Sequence, residues 1–154
     1  MWTGQPVGGG NNPGVPAGTH EVPMLFGGMA PASFTRMAKW GQGDIAGSLP
    51  AQFVADHFEQ ARAAWKDSGR AGQPHPVALA YFALGDPDQG RANVGDYYAG
   101  AGEFTDLVMS GVCGTPEMLK STITSFADLG LDELIFNPGT DDVDDIKRLA
   151  DAVL

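Results

Sequence analysis

At 154 residues, 43% of them hydrophobic, the chain is long enough for one domain with a real core. Its formal charge of −10, with only nine Lys plus Arg, argues against nucleic acid or an anionic membrane surface as the main partner, since both demand basic patches. The single cysteine, Cys113, excludes an internal disulfide and fits a reducing cytosol. There is no leader-like start and no run of about eighteen apolar residues, so the expectation is a soluble, cytoplasmic protein. An anionic cofactor stays open, because backbone N–H groups at a helix start bind phosphate without lysine.

Residues 1–20, MWTGQPVGGGNNPGVPAGTH, are too rich in Gly and Pro for a helix or a central strand. They read as an extended loop or linker before a domain spanning 21–154, with Trp2 and Val7 as its apolar packing residues. A βα rhythm then appears four times. Residues 23–26 form a short apolar strand ending at Gly27-Gly28, and a helix is expected over 31–40 with Pro31 in its first turn and Gly41 past its end. A brief strand over 44–46 ends at Gly47-Ser48. Ser48 is a plausible N-cap for a long helix to about Ser68, on which Val54, Phe58, Ala61 and Trp65 make one stripe.

The third strand, 77–84 (VALAYFAL), is apolar on both parities, the mark of burial on both faces in a parallel sheet. Asp86-Pro87 opens a helix to about Ala99, and a second helical piece covers 103–109. Thr115-Pro116-Glu117 is a strong helix start, leading to Leu119, Ile123 and Phe126 and a stop at Gly130. A fourth strand over 133–136 ends at Asn137-Pro138. The last helix, 142–153, places Val143, Ile146, Leu149, Ala150 and Val153 on one face. Alternation of this kind implies parallel pairing and right-handed crossovers, in a small open α/β sheet or in half of a (β/α)8 barrel.

Glycines directly after a strand let backbone approach a ligand, and the N–H groups of the next helix then point at it. Gly27, Gly28 and Met29 are therefore candidates for holding a phosphate, against the plainer reading of a tight turn. Gly47 and Ser48 repeat the device one unit later. His20, His57 and His75 lie far apart without HExxH or CxxC companions, so no metal site is expected, and His57 is read as a surface residue of the long helix. Asp86, Asp88 and Gly90 loosely echo a calcium loop but are better explained as helix capping. Asp141, Asp142, Asp144 and Asp145 suit the positive end of the last helix. Cys113 has no adjacent His or Lys and reads as a packing residue. No catalytic residue is assigned.

Several segments together resemble the C-terminal half of the luciferase-like monooxygenases, the flavin- or F420-dependent oxidoreductases of the bacterial luciferase superfamily. They are WTGQPVGGG, PMLFGGMAPASFTRMAKWGQGDI, the AW…GR pair (Trp65, Gly69-Arg70), ALAYFALG, GTPEMLKSTITSFADLGLDELIFNP and DIKRLADAV, in order across nearly the whole chain. The resemblance implies four βα units matching strands five to eight of a TIM-like (β/α)8 barrel. It further implies FMN or coenzyme F420 as cofactor, and a small organic substrate. Gly27, Gly28 and Met29, with Gly47 and Ser48, would then stand at the cofactor phosphate. The first four strands of the family barrel have no counterpart here, so the chain should pair with a second copy or with a missing N-terminal half. The alternative is a non-catalytic fragment or assembly module that pairs through open sheet edges. A stand-alone flavodoxin-like domain rests only on the βα count.

Overall fold

The computed structural model describes residues 23–154; the linker expected over 1–20, with Trp2, Val7 and His20, lies outside them. The elements run β1 (Leu25–Gly27), α1 (Pro31–Trp40), β2 (Gly43–Ala46), α2 (Ala51–Asp67), β3 (His75–Phe82), α3 (Pro87–Tyr97), α4 (Glu103–Ser110), α5 (Pro116–Asp128), β4 (Glu133–Pro138) and α6 (Asp144–Val153). The four strands form one parallel sheet in the order β1-β2-β3-β4. Each strand steps to the same side as the last. A flavodoxin-like sheet reverses its winding at a switch point, and no reversal occurs here. Four βα units wound in one direction are the architecture of half a barrel.

Register fixes the two faces of the sheet. Ala46, Ala78 and Leu134 stand in one row and pack with Val54, Phe58 and Phe126 of α2 and α5. Phe26 packs against Phe34 and Met37 of α1 and Ala61 and Trp65 of α2. Phe82, Phe136, Leu119 and Leu149 close the layer under α5 and α6. The opposite parity carries Ile45, Val77, Leu79 and Ile135, an apolar row that in a closed barrel fills the lumen. VALAYFAL was expected to be buried on both faces; the structure buries the helix-facing residues Ala78, Ala80 and Phe82 and leaves Leu79 and Tyr81 of the other row half-buried. Gly43 lets β2 and β3 approach closely: a Cβ there would lie 2.0 Å from the His75 carbonyl oxygen.

β2 ends level with Ala78, and Cys113 then takes the vacated slot beside β3. Its N–H donates to the Tyr81 carbonyl at 2.9 Å, and its carbonyl accepts from Ala83 N–H at 3.0 Å. This is why the chain between β3 and β4 includes α3 and α4 before it reaches α5. Boundaries shift slightly from expectation, β3 beginning at His75 and α6 at Asp144. Of the apolar face expected on α6, Leu149 packs inward, whereas Val143, Ile146 and Val153 are 78%, 52% and 39% exposed. Among the described residues no helix is long and apolar enough to cross a membrane.

Candidate functional site

Active sites of barrels and open α/β sheets form at the carboxyl ends of the strands, and the expected glycine turns lie there. β1 ends at Gly27, and Gly28 follows at φ +116°, a conformation strained for any other residue. Gly28, Met29, Ala46, Gly47, His57 and Phe104 line one cavity of about 170 Å³. The structure thus brings Gly28, Met29 and Gly47 together. Gly27 sits one residue below, still in the strand, with the Ile45 carbonyl 3.1 Å from where its Cβ would be. Gly47 is different: a Cβ there would meet nothing within 4 Å, so its backbone opens on free space.

Ser48 departs from its expected place. It is buried, and the helix it was expected to cap begins at Ala51 with Pro50 as N-cap and no side-chain cap. The proline two residues on takes that position, and the Ser48 side chain turns to Tyr98. Burial, followed by the neighbouring Tyr81 hydroxyl, pushes the Tyr98 phenol up to about 12, with Ser48 pulling the other way; Tyr98 stays a neutral donor. Ser48 also lines a second cavity of about 250 Å³ with Ala80, Ser110, Thr122 and Ser125. The rings of Tyr81, Tyr98 and Phe104 run edge to face, with centroids 6.3 and 5.8 Å apart, linking the end of β3 to the first cavity.

The helices differ in how their N-termini are finished. Asp86 caps α3 by accepting from Gln89 N–H at 3.0 Å, and Thr115 caps α5 by accepting from Met118 N–H at 3.2 Å, as expected of both. α3, α4, α5 and α6 each carry an acidic residue in the first turn. α1 and α2 have neither a side-chain cap nor a first-turn acid. Both start beside the cavity, and so does α4, whose Phe104 lines it and whose first turn carries Glu103 and Asp106; the ends of α1 and α2 carry no acid of their own.

His57 is the largest correction to the sequence reading. It is 5% exposed, and its Nε2 lies 2.5 Å from Oδ2 of the equally buried Asp44 of β2. The two form a close buried pair, and neither atom has another partner. Signals for both were present: His57 is three residues past Val54 and one before Phe58, on the buried side of the stripe. Asp44 shares its parity with Ala46, the helix-facing side of β2.

The remaining candidates are structural. Asp145 of the acidic run is fully buried and accepts from Gly85 N–H at 2.7 Å, Arg148 Nη1 at 2.8 Å and Thr140 Oγ1 at 3.0 Å. His75 meets Asp132 at 3.1 Å at the opposite, amino ends of the strands. Among the described residues no group of three or more His, Cys, Asp or Glu is arranged to hold a metal. Cys113 is buried, and burial pushes its thiol up against a smaller opposing pull from the Thr122 hydroxyl, which makes it an inert packing residue.

No family model and no curated protein matches the sequence. Solved structures do match in fold. An F420-dependent secondary alcohol dehydrogenase in complex with an F420-acetone adduct aligns with TM-score 0.64 and 18% identity, over 87% of this chain and 49% of its own. The coenzyme F420-dependent tetrahydromethanopterin reductase from Methanopyrus kandleri aligns with TM-score 0.57 and 14% identity, over 84% and 49%. MsnO8, in its apo form, aligns with TM-score 0.56 and 17% identity, over 92% and 54%. The chain spans about half the length of these structures, and at such identities the likeness is one of fold.

Proposed function

We propose that this chain is the C-terminal half of a flavin- or F420-dependent oxidoreductase of the luciferase-like type, acting on a small organic substrate by hydride transfer or flavin-mediated oxygenation. In this reading the cavity at the ends of β1 and β2 grips the cofactor phosphate. The observation that carries the proposal is the pair of uncapped, acid-free helix starts beside one cavity in a chain of net charge −10. Of the nineteen acids, none lies in the first turn of α1 or α2, which suits an anion at those two ends. The fold likeness supports the same reading, and two of the three neighbours are F420-dependent, which favours F420 over FMN.

The residues present suit a phosphate. Gly27, Gly28 and Met29 deliver the chain into α1, and Gly47, with open space where a side chain would stand, lets the ligand reach backbone. Ser48 takes a supporting place, holding Tyr98. When bound, the cofactor would supply the hydride acceptor or the oxygen-activating ring. The rest of the barrel, from a second copy or from another stretch of protein, would cover the apolar row of Ile45, Leu79 and Ile135 and complete the substrate pocket.

Fluorescence titration of the chain with F420 and with FMN tests this. The expected result is saturable F420 binding that Gly47→Val weakens by about tenfold or more with an unchanged melting temperature, because the new side chain fills the cavity and touches nothing else. Absence of binding up to millimolar cofactor rejects the grip in this chain. A second reading, a non-catalytic module that pairs with a partner, is favoured by the exposed Val143, Ile146 and Val153 of α6. Analytical ultracentrifugation that finds a well-folded monomer at all concentrations rules it out.

A further inference from the structure

We propose that two copies of this chain dock head to tail and close into one eight-stranded barrel, the last helix of each copy lying against the first helix of the other. The inference rests on the half-barrel fold and not on the reading of the cavity, and it makes a second copy the source of the other half.

The helices show which flank meets which neighbour. An α-helix turns about 100° per residue, so residues just after a buried position face one flank and those just before it face the other. On α1 the buried residues are Phe34, Met37 and Ala38, and Thr35, Ala38 and Lys39, each one position on, line the groove shared with α2. On α2, Ala64, one before buried Trp65, lines the same groove from the other side. Arg62, one after buried Ala61, reaches forward to the Leu129 carbonyl at the end of α5, donating at 2.7 Å. In this fold the position after a buried residue therefore faces the next helix, and the position before it faces the previous one.

The same rule applied to α6 exposes a mismatch. Its inward residues are Asp145, Leu149 and Ala152, so Asp144, Arg148 and Asp151 take the flank toward α5. Ile146, Ala150 and Val153 take the forward flank, where no helix of this chain follows, and Ile146 and Val153 are exposed there. A helix flank that faces water is normally polar; this one is apolar on the side where a closed barrel places its next helix. α1 has the matching surface. Its backward flank holds Arg36, one before buried Met37, and Trp40 one turn further on, 61% exposed.

Charge selects a second copy as the occupant. α1 carries Arg36 and Lys39 and no acid, whereas residues 141–154 carry five aspartates against Lys147 and Arg148. An apolar, acidic end and an aromatic, basic end are complementary surfaces of one chain. Two-fold pairing makes that contact twice. It also joins β4 of each copy to β1 of the other, the two strands that end the sheet among the described residues, and it covers the row of Ile45, Leu79 and Ile135.

Sedimentation of the full chain over a concentration series is the test. The expected result is a dimer of twice the 16.1 kDa chain. Ile146→Asp and Trp40→Lys, both at exposed positions, should each weaken it by about tenfold or more with unchanged circular dichroism, and Val153→Asp repeats the test if Ile146→Asp unfolds. The double variant Ile146→Asp/Trp40→Lys should regain most of the loss, because the new aspartate and lysine meet across both contacts. A monomer at every concentration, or an open series of larger oligomers, overturns the closure. Additive losses in the double variant overturn it too, since they place α6 and α1 apart. F420 fluorescence on the same samples separates the two readings: a monomer that binds F420 overturns the closure alone, and a dimer that binds none overturns the cofactor grip alone.

Discussion

Asp145 and Asp44 are both buried, one at the start of α6 and the other in β2, yet their surroundings differ in kind. Asp145 accepts three aligned hydrogen bonds from three segments: the turn after β3, the turn after β4, and α6 itself. A Cβ on Gly85 would stand 2.7 Å from Arg148, so nothing can enter between the parts of this clasp. Asp44 has one close polar neighbour, His57, which itself lines a cavity. The carboxyl end of the sheet is thus divided. Side chains clasp the turns after β3 and β4 together, although a cavity of about 210 Å³ remains beside them between Tyr81, Tyr97 and Gly139, while at the β1–β2 end a cavity of about 170 Å³ reaches His57 but not Asp44. Cohesion and recognition are assigned to different pairs of units.

The comparison breaks first at the clasp. Asp145→Ala removes three hydrogen bonds to a buried carboxylate at once, which should cost about 3 kcal/mol of unfolding free energy, measured by urea denaturation. A loss below about 1 kcal/mol would mean that Asp145 does not hold the turns together. Asp44→Asn should cost less, about 1 kcal/mol, because the amide still offers the His57 ring a polar partner and only one close contact is altered. Equal losses at the two positions would erase the distinction between a carboxylate held by three segments and one held by a single neighbour.

The division was partly legible in the sequence. Thr115-Pro116-Glu117 and Asp86-Pro87 announce their helices through local chemistry, and the structure caps both as read. The glycine turns mark the cavity because a positive φ at Gly28 has a residue-type signature. Ser48 failed as a cap because hydroxyl, proline and helix start compete for one position, and tertiary contact with Tyr98 decided it. His57 and Asp145 were read from neighbours along the chain, as a polar residue on a helix and as one acid in a run. Their environments come from residues 13 positions away for Asp44 and 60 away for Gly85, which no local pattern encodes. The face exposed on α6 is the same lesson reversed: Val143, Ile146 and Val153 have helical spacing, but spacing does not say whether a partner is present.

The smallest effect separates the two arms of the clasp. Arg148 donates to buried Asp145 and also, at 2.8 Å, to exposed Asp142, and both contacts hold its guanidinium above its ordinary value, Asp142 first. The hydrogen bond from Arg148, then the Asp144 backbone N–H, holds the Asp142 carboxyl below the usual aspartate range. A carboxyl whose folded value is depressed binds its proton more readily in the unfolded chain. Its contribution to stability is therefore complete above the unfolded aspartate value, near 4, and fades as pH falls through the lower folded value. Asp142→Asn should remove that part of the acid dependence, so that its stability falls less steeply than the parent's below about pH 4 while the two stay nearly parallel near neutrality. Because Asp142 lies at the surface, the difference should shrink in high salt, whereas the loss from Asp145→Ala should not. An Asp142→Asn chain as costly as Asp145→Ala, and as indifferent to salt, would show that Arg148 works through its outer partner and that the buried carboxylate is the lesser half of the clasp.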